Sequence, residues 1–257
     1  MFKEADMNKR FVIGTPLVPW KVEMNEHDAW LTHNEAIREK FPNVQFFAAL
    51  ELDHRGIDFY KPFIEVLKGI GADYWTYTIN DFEEVVDSNN RWIRIETGRN
   101  LVREYAQRGK KVISNPQTQR EAFPIDTDTI NHYEAILYVD SDIVMNSQAI
   151  QAMFEVDRAM VGINVPAYNL SGFPINTHPK IEEHWTTAGA LLVNAPACWD
   201  LPWYHNIHMG LSDDPTFQYL GARLYGQTWV RKDLHVDHIG RLSGLEYRGI
   251  PRRVIEQ

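Results

Sequence analysis

The chain has 257 residues, 44% hydrophobic and 12% aromatic, with 26 Lys and Arg against 35 Asp and Glu, a formal charge of −9. That length can bury a substantial core as one large domain, and the composition excludes a disordered, fibrous or low-complexity chain. A single cysteine, Cys198, excludes an internal disulfide and a cysteine-based zinc cluster. No apolar run approaches the roughly 18–20 residues of a membrane-spanning helix, and the N-terminal segment has no apolar signal core. A soluble protein of a reducing compartment, the cytoplasm, is expected.

In chain order, Phe11-Val12-Ile13-Gly14-Thr15 reads as a strand ending in a Gly14-Thr15-Pro16 turn. Asp28 to Lys40 reads as a helix closed by Phe41-Pro42, and Val44 to Leu50 as a largely buried strand. Lys61 to Lys68 is helical with Gly69 and Gly71 as stop signals, and Asp73 to Ile79 is a third strand. Thr97 to Gln107 is a helix with Leu101, Val102, Tyr105 and Ala106 on one face, and Ala135 to Val139 is a strand too apolar to be half exposed. Strands near 159–165 and 188–193 follow, then a helix over 212–225 and short strands near 228–231 and 234–236. Residues 166–184, rich in Pro, Asn, Gly and His, read as a long irregular loop, either a lid or a surface excursion. Near-continuous apolar strands alternating with helices imply an α/β fold with a mostly parallel central sheet covered on both faces. One domain over 1–257 is expected, its C-terminal portion folding back over the open end of the sheet.

Charge is unevenly spread. Residues 91–111 carry seven basic side chains (Arg91, Arg94, Arg99, Arg103, Arg108, Lys110, Lys111) and two acidic ones. One basic segment in an acidic protein suits a small anionic ligand better than a long duplex.

Four segments carry chemistry. In Ile136-Leu137-Tyr138-Val139-Asp140-Ser141-Asp142 two carboxylates follow an apolar strand directly, where ligands of open α/β sheets bind. Such oxygen ligands suit Mg²⁺ or Mn²⁺ bridging a diphosphate; the alternative is a turn whose side chains cap the next helix. Thr97-Gly98-Arg99-Asn100-Leu101-Val102-Arg103 opens a helix, so that its N-terminus and Arg99 and Arg103 can take a phosphate or a base edge. The alternative there is a solvated basic face. In Ser212-Asp213-Asp214-Pro215-Thr216-Phe217 one Asp is explained by helix capping, and the second is free to orient an acceptor hydroxyl or accept its proton. In Leu234-His235-Val236-Asp237-His238 alternation turns Leu234 and Val236 inward; His238, at the strand end, can complete a metal shell or simply be a surface imidazole, and His235 has the same two readings.

Taken in this order, the segments resemble a GT-A fold nucleotide-sugar glycosyltransferase, nearest to the fungal mannan-polymerase type of mannosyltransferase and its soluble microbial and viral relatives. The residues that carry the likeness are Tyr138-Val139-Asp140-Ser141-Asp142-Ile143-Val144, Thr187-Ala188-Gly189-Ala190-Leu191-Leu192-Val193, Asp213-Asp214 with Phe217, Ala222 and Gly226, and His238-Ile239. It spans roughly residues 95–240. The resemblance implies a metal site (Mn²⁺ or Mg²⁺) at Asp140, Asp142 and His238, with Asp140 also contacting the ribose or sugar. It further implies Gly14, Thr15 and Pro16 at the nucleotide, and Arg99, Asn100, Arg103 and Ser141 on the nucleotide or donor, within a nucleotide-binding half to about residue 145 and an acceptor-side half after it. Gly189 and Ala190 would line the donor sugar, and Asp213 or Asp214 would face the acceptor. The donor would be a UDP- or GDP-sugar. The fungal enzymes carry a membrane anchor and luminal stem for which this sequence shows no segment, which leaves the acceptor open: a glycan, a protein, a small molecule or a hydroxymethylated base in DNA. The alternatives are a nucleotidyltransferase of sugar phosphates, whose Gly-rich basic loop is missing after Ile13, a metal hydrolase on His235, Asp237 and His238, which lacks a further ligand cluster, and a non-catalytic module that binds a nucleotide sugar.

Overall fold

The computed structural model describes residues 5–19, 29–78, 89–108, 133–163, 165, 189–204, 213–231, 233, 234, 236–242, 245–248 and 255–256. Within these, the side chains of residues 89–93, 108, 213–215, 238–242, 245–248 and 255–256 are not described. The loop expected over 166–184, together with His235, Lys110, Lys111, Arg252 and Arg253, lies outside the described residues.

The strands are β1 (Phe11–Leu17), β2 (Val44–Glu51), β3 (Asp73–Tyr77), β4 (Ala135–Val139), β5 (Ile143–Val144) and β6 (Met160–Ile163). They continue with β7 (Ala190–Asn194), β8 (Trp229–Arg231), β9 (Asp237–Leu242), β10 (Leu245–Arg248) and β11 (Ile255–Glu256). The α-helices are α1 (Asn34–Lys40), α2 (Gly56–Gly69), α3 (Asn89–Arg108), α4 (Ser147–Phe154), α5 (Ala197–Asp200) and α6 (Asp213–Tyr225).

A seven-stranded sheet runs in the order β3-β2-β1-β4-β7-β6-β8. β1 pairs in parallel with β2 and β4, β2 with β3, and β6 with β8. β7 is antiparallel to both β4 and β6, so the sheet is mostly parallel, as expected, with β7 reversed. Sequence cannot give that reversal, because a strand buried on both faces, such as Ala190-Leu191-Leu192-Val193, reads the same in either direction.

Period-two alternation sends the strands' side chains into two apolar layers. Phe11, Ile13, Phe46, Ala48, Leu50, Leu137 and Val139 enter one layer, with Ile37 of α1, Phe63, Ile64 and Leu67 of α2, and Ile150 and Met153 of α4. Val12, Phe47, Ala49, Ile136 and Tyr138 enter the other, with Val102, Tyr105 and Ala106 of α3, Cys198 of α5 and Phe217 of α6. Helices thus cover both faces of the sheet.

Several boundaries differ from the sequence reading. β1 continues through Thr15 and Pro16, so these residues are strand and not turn. Proline is tolerated because β4 pairs with β1 only as far as Gly14, leaving Pro16 beyond the end of that ladder. The helix expected over 28–40 is broken: a 3₁₀ turn at Ala29–Leu31 precedes α1, and Asn34 Nδ2 donates to the Leu31 carbonyl at 2.8 Å between them. α2 begins five residues earlier than expected, with Pro62 in its interior. The strand expected over 234–236 begins instead at Asp237, after the buried Val236. α4 was not anticipated; Asn146 caps it, its Oδ1 accepting from the Ala149 N–H at 2.8 Å.

A second sheet, β11-β10-β9-β5, brings the C-terminal portion back to the chain just beyond β4. Ile143 pairs with His238 and Val144 with Asp237. Among the described residues no helix is long and apolar enough to cross a membrane.

Candidate functional site

In the order β3-β2-β1-β4 the connections run outward from β1 on one side and to β4 on the other, which makes the β1–β4 border a topological switch point. A crevice opens at the carboxyl ends of the strands at such a point. The two segments ending there are Gly14-Thr15-Pro16 of β1 and Asp140-Ser141-Asp142 after β4.

Asp140 directly follows β4 with its N–H donated to the Gly189 carbonyl at 2.9 Å, and its own carbonyl accepts the Ile143 N–H at 3.0 Å. The four residues therefore form a closed turn with Ser141 and Asp142 at its tip. Asp142 is 5% exposed and Ser141 1%, so both are buried. Ser141 Oγ has no hydrogen-bond partner among the described residues. A buried hydroxyl without a partner is costly, and a polar ligand at the turn would relieve it. Gly189 and Ala190 stand directly alongside, Ala190 pairing with Val139.

Arg99 reaches this turn from α3. Its side chain is 3% exposed, and Nη2 lies 3.2 Å from Asp140 Oδ1, while Asp140 keeps 38% of its side chain exposed. The solvated-face alternative therefore fails for Arg99. Its guanidinium also lies over the Trp203 ring, 4.5 Å from the centroid. Trp203 stacks on Phe217 at 3.9 Å with planes 6° apart, and Tyr138 meets Trp203 edge-on at 4.9 Å.

The sequence reading of Thr97–Arg103 as the start of a helix is corrected. α3 begins at Asn89, so Thr97 to Asn100 are interior and their N–H groups lie in the helix, not at an anion-binding terminus. Gly98, which suggests a boundary, allows close packing: a Cβ there would lie 2.6 Å from Pro16 Cβ. Gly14 plays the matching part on β1, where a Cβ would lie 2.2 Å from Val102 Cγ1. Thr15 is fully buried.

Asn100 faces the segment after α5, and Arg103 faces α5 itself. Asn100 Nδ2 donates to the Trp203 carbonyl at 2.8 Å, and its Oδ1 accepts the Trp203 N–H at 3.0 Å. Arg103 Nη1 and Gln107 Nε2 donate to the Trp199 carbonyl at 3.3 and 2.6 Å. These bonds fasten residues 199–203 to α3.

The structure brings the backbone of His238 opposite Ile143, next to Asp142 in sequence. Asp213 and Asp214 are the first two residues of α6, and Phe217, one turn on, lies in the aromatic stack. The side chains of His238, Asp213 and Asp214 lie outside the described residues, and His235 does so entirely. Asp237 is exposed. Among the described residues no three His, Cys, Asp or Glu side chains gather as a metal cluster.

Sequence reasoning missed Glu51 and Trp203. Glu51 ends β2 much as Asp140 follows β4, and the same signal, an acid directly after an apolar run, was available. It is 1% exposed, and Arg94 Nη1 lies 2.7 Å from its Oε1. Burial, and then the Glu51 carboxylate, push the Tyr77 phenol well above its ordinary pKa, so it stays protonated and donates to the Arg94 carbonyl at 3.1 Å. Trp203 offers no local signal, since its role comes from residues far away in sequence.

No family model matches the chain, and no curated protein matches its sequence. Among solved structures, the glycosyltransferase GlyE of Streptococcus pneumoniae TIGR4 is similar at 12% identity with a TM-score of 0.39, covering 88% of this chain and 46% of its own. The mannosyltransferase Ktr4p of S. cerevisiae is similar at 10% identity with a TM-score of 0.38, over 95% of this chain and 74% of its own. Its complex with GDP is similar at 10% identity with a TM-score of 0.28, over 68% and 43%. The chain spans under half the length of GlyE. At these TM-scores the likeness carries no argument; fold and site rest on the chain's own topology and contacts.

Proposed function

We propose that the chain is a metal-dependent glycosyltransferase of the GT-A type, moving a sugar from a UDP- or GDP-sugar to a hydroxyl acceptor. One observation carries the reading: the Asp140-Ser141-Asp142 turn lies at the β1–β4 switch point with the buried Arg99 guanidinium on Asp140. The donor set fits Mn²⁺ or Mg²⁺, with carboxylate oxygens from Asp142 and Asp140 and an imidazole from His238, whose backbone pairs beside the turn. When bound, such a cation stabilises the negative charge of the departing diphosphate.

The chain's own residues then divide the work. Asp142, His238 and one oxygen of Asp140 would hold the metal. Asp140, oriented by Arg99, takes a ribose or donor-sugar hydroxyl, and Arg99 adds a fixed positive charge in a site of low dielectric. Gly189 and Ala190 line the donor sugar, where small residues leave it room. Gly14, Thr15 and Pro16, buried at the carboxyl end of β1, would form the floor beneath the nucleotide crevice. Asn100 and Arg103 support the donor side through the segment they fasten. Asp213 or Asp214, at the start of α6, orients the acceptor hydroxyl and accepts its proton. The acceptor is a hydroxyl of a glycan, a protein, a small molecule or a hydroxymethylated DNA base.

The test is a thermal-shift panel of UDP-, GDP-, dTDP- and CMP-sugars, each with Mn²⁺ and with EDTA. A metal-dependent rise with one nucleotide family is expected, lost in Asp142→Asn while the unliganded melting temperature stays within a few degrees. A rise that survives both EDTA and Asp142→Asn removes the metal assignment. If no sugar nucleotide gives a rise, the panel is repeated with nucleoside triphosphates, and a rise there turns the reading to a nucleotidyltransferase. Binding without any donor hydrolysis or transfer leaves a non-catalytic module.

A further inference from the structure

The contacts around Arg99 point to a residue outside the four motifs. Asp140 is the part-exposed member of the pair and Arg99 the buried one. An arginine side chain has several rotatable bonds, and its guanidinium stays at one carboxylate only if something holds its plane. The Trp203 ring faces the guanidinium carbon, its centroid 4.5 Å away. Trp203 is itself 1% exposed and fixed in three ways: Asn100 takes both its main-chain N–H and carbonyl, Phe217 stacks on it, and Tyr138 meets its edge.

We propose that Trp203 is a positioning residue for donor binding, acting through Arg99: its indole holds the guanidinium against Asp140. The inference rests on the glycosyltransferase reading for the identity of the donor, but not for the geometry. The ring supplies a cation–π surface in a desolvated setting, where such contacts are strongest. Because Phe217 belongs to the helix that opens with Asp213-Asp214, the same stack ties the Asp140 side of the site to the proposed acceptor side. A ring of any aromatic kind does the work, so the indole N–H is not required.

Two measurements test this. The first needs no ligand: ¹⁵N relaxation of the Arg99 Nε–Hε group, assigned by its disappearance in Arg99→Lys. In Trp203→Leu this group is expected to become mobile, and in Trp203→Phe to regain most of its order. Phe217→Leu, which keeps the indole but removes its stacking partner, serves if Trp203→Leu does not fold, and it should loosen Arg99 to a smaller degree. Unchanged Arg99 order in Trp203→Leu and Phe217→Leu overturns the proposal.

The second is a double-mutant cycle on nucleotide-sugar affinity with Mn²⁺. Trp203→Leu is expected to weaken donor binding about tenfold, and Trp203→Phe to restore it. In the Arg99→Lys background, Trp203→Leu should add little further loss, because its effect passes through the missing guanidinium. Equal losses in both backgrounds would show a merely structural role and sink the proposal. If the wild-type protein binds no nucleotide sugar, the glycosyltransferase reading falls, while the Arg99 relaxation still decides whether Trp203 positions it.

Discussion

At the scale of single residues, Gly14 separates two roles that a sequence cannot tell apart. A glycine at the end of an apolar strand, ahead of Thr and Pro, suggests close approach to a phosphate. In the fold its missing Cβ makes room for Val102 of α3. Gly14→Ala is expected to cost about 1–3 kcal/mol by overpacking, measured by urea denaturation. Val102→Ala should recover most of that, and if donor affinity returns with stability, packing is the whole of the glycine's part. Asp53 gives a pH-dependent case. Burial works to raise its pKa, but hydrogen bonds from Arg55 outweigh this and hold the carboxyl below its ordinary 3.8. The unfolded chain therefore takes up the proton first, so the pair's contribution is complete above that value and is lost as pH falls through the lower, folded pKa. Asp53→Asn should flatten the acid limb of stability below about pH 4 and leave stability at pH 7 to 8 with the same slope as wild type. Asp140 was legible because it follows five apolar residues of a doubly buried strand. Arg99 was legible as a charge but not as a buried one, since its burial comes from Trp203, which no local pattern connects to it.

At the scale of elements, strands were easier to read than helix limits. β4 is apolar throughout and β2 from Phe46 to Leu50, whereas α2 and α3 contain Pro62 and Gly98, local signals for a break that packing overrides. In α3 the buried stripe of Val102, Tyr105 and Ala106 follows helical spacing and was legible. What precedes it, back to Asn89, mixes Trp92, Ile93 and Ile95 with charged residues and Gly98, and was not. α4 escaped notice although its cap was visible as Asn146-Ser147. Asn146→Ala should cost about 1 kcal/mol, and Asn146→Asp nearly nothing, by the same denaturation assay. A loss well above that would mean Asn146 also supports the Ile143–Val144 strand just before it. The pairing of β5 with β9 could not be read at all, because two short strands far apart in sequence carry no shared local pattern.

At the scale of the whole molecule, the α/β class and the mostly parallel sheet followed from apolar strands alternating with helices, and the direction of β7 did not. The two layers meet the sheet on opposite faces, and Cys198 sits in the layer beneath α3 and α5, 1% exposed. Burial pushes its thiol up to about 12, so at pH 8 it is neither accessible nor ionised in the folded protein. Labelling by a thiol-reactive dye is therefore expected to be slow and to accelerate in step with loss of the far-UV signal as denaturant rises. Fast labelling well before that transition would show that the α5 side of the sheet opens on its own.

The return of β9 to β5 also has a consequence in time. On the ribosome Asp142 leaves the exit tunnel long before His238, so the nascent chain can fold β1 to β4 and form the Asp140–Asp142 turn while the strand that pairs beside it has yet to be made. If His238 completes the metal site, the N-terminal half of a growing chain cannot capture the cation tightly. The site closes only once the chain has been made through β9, and metal uptake then reports that β9 has paired with β5.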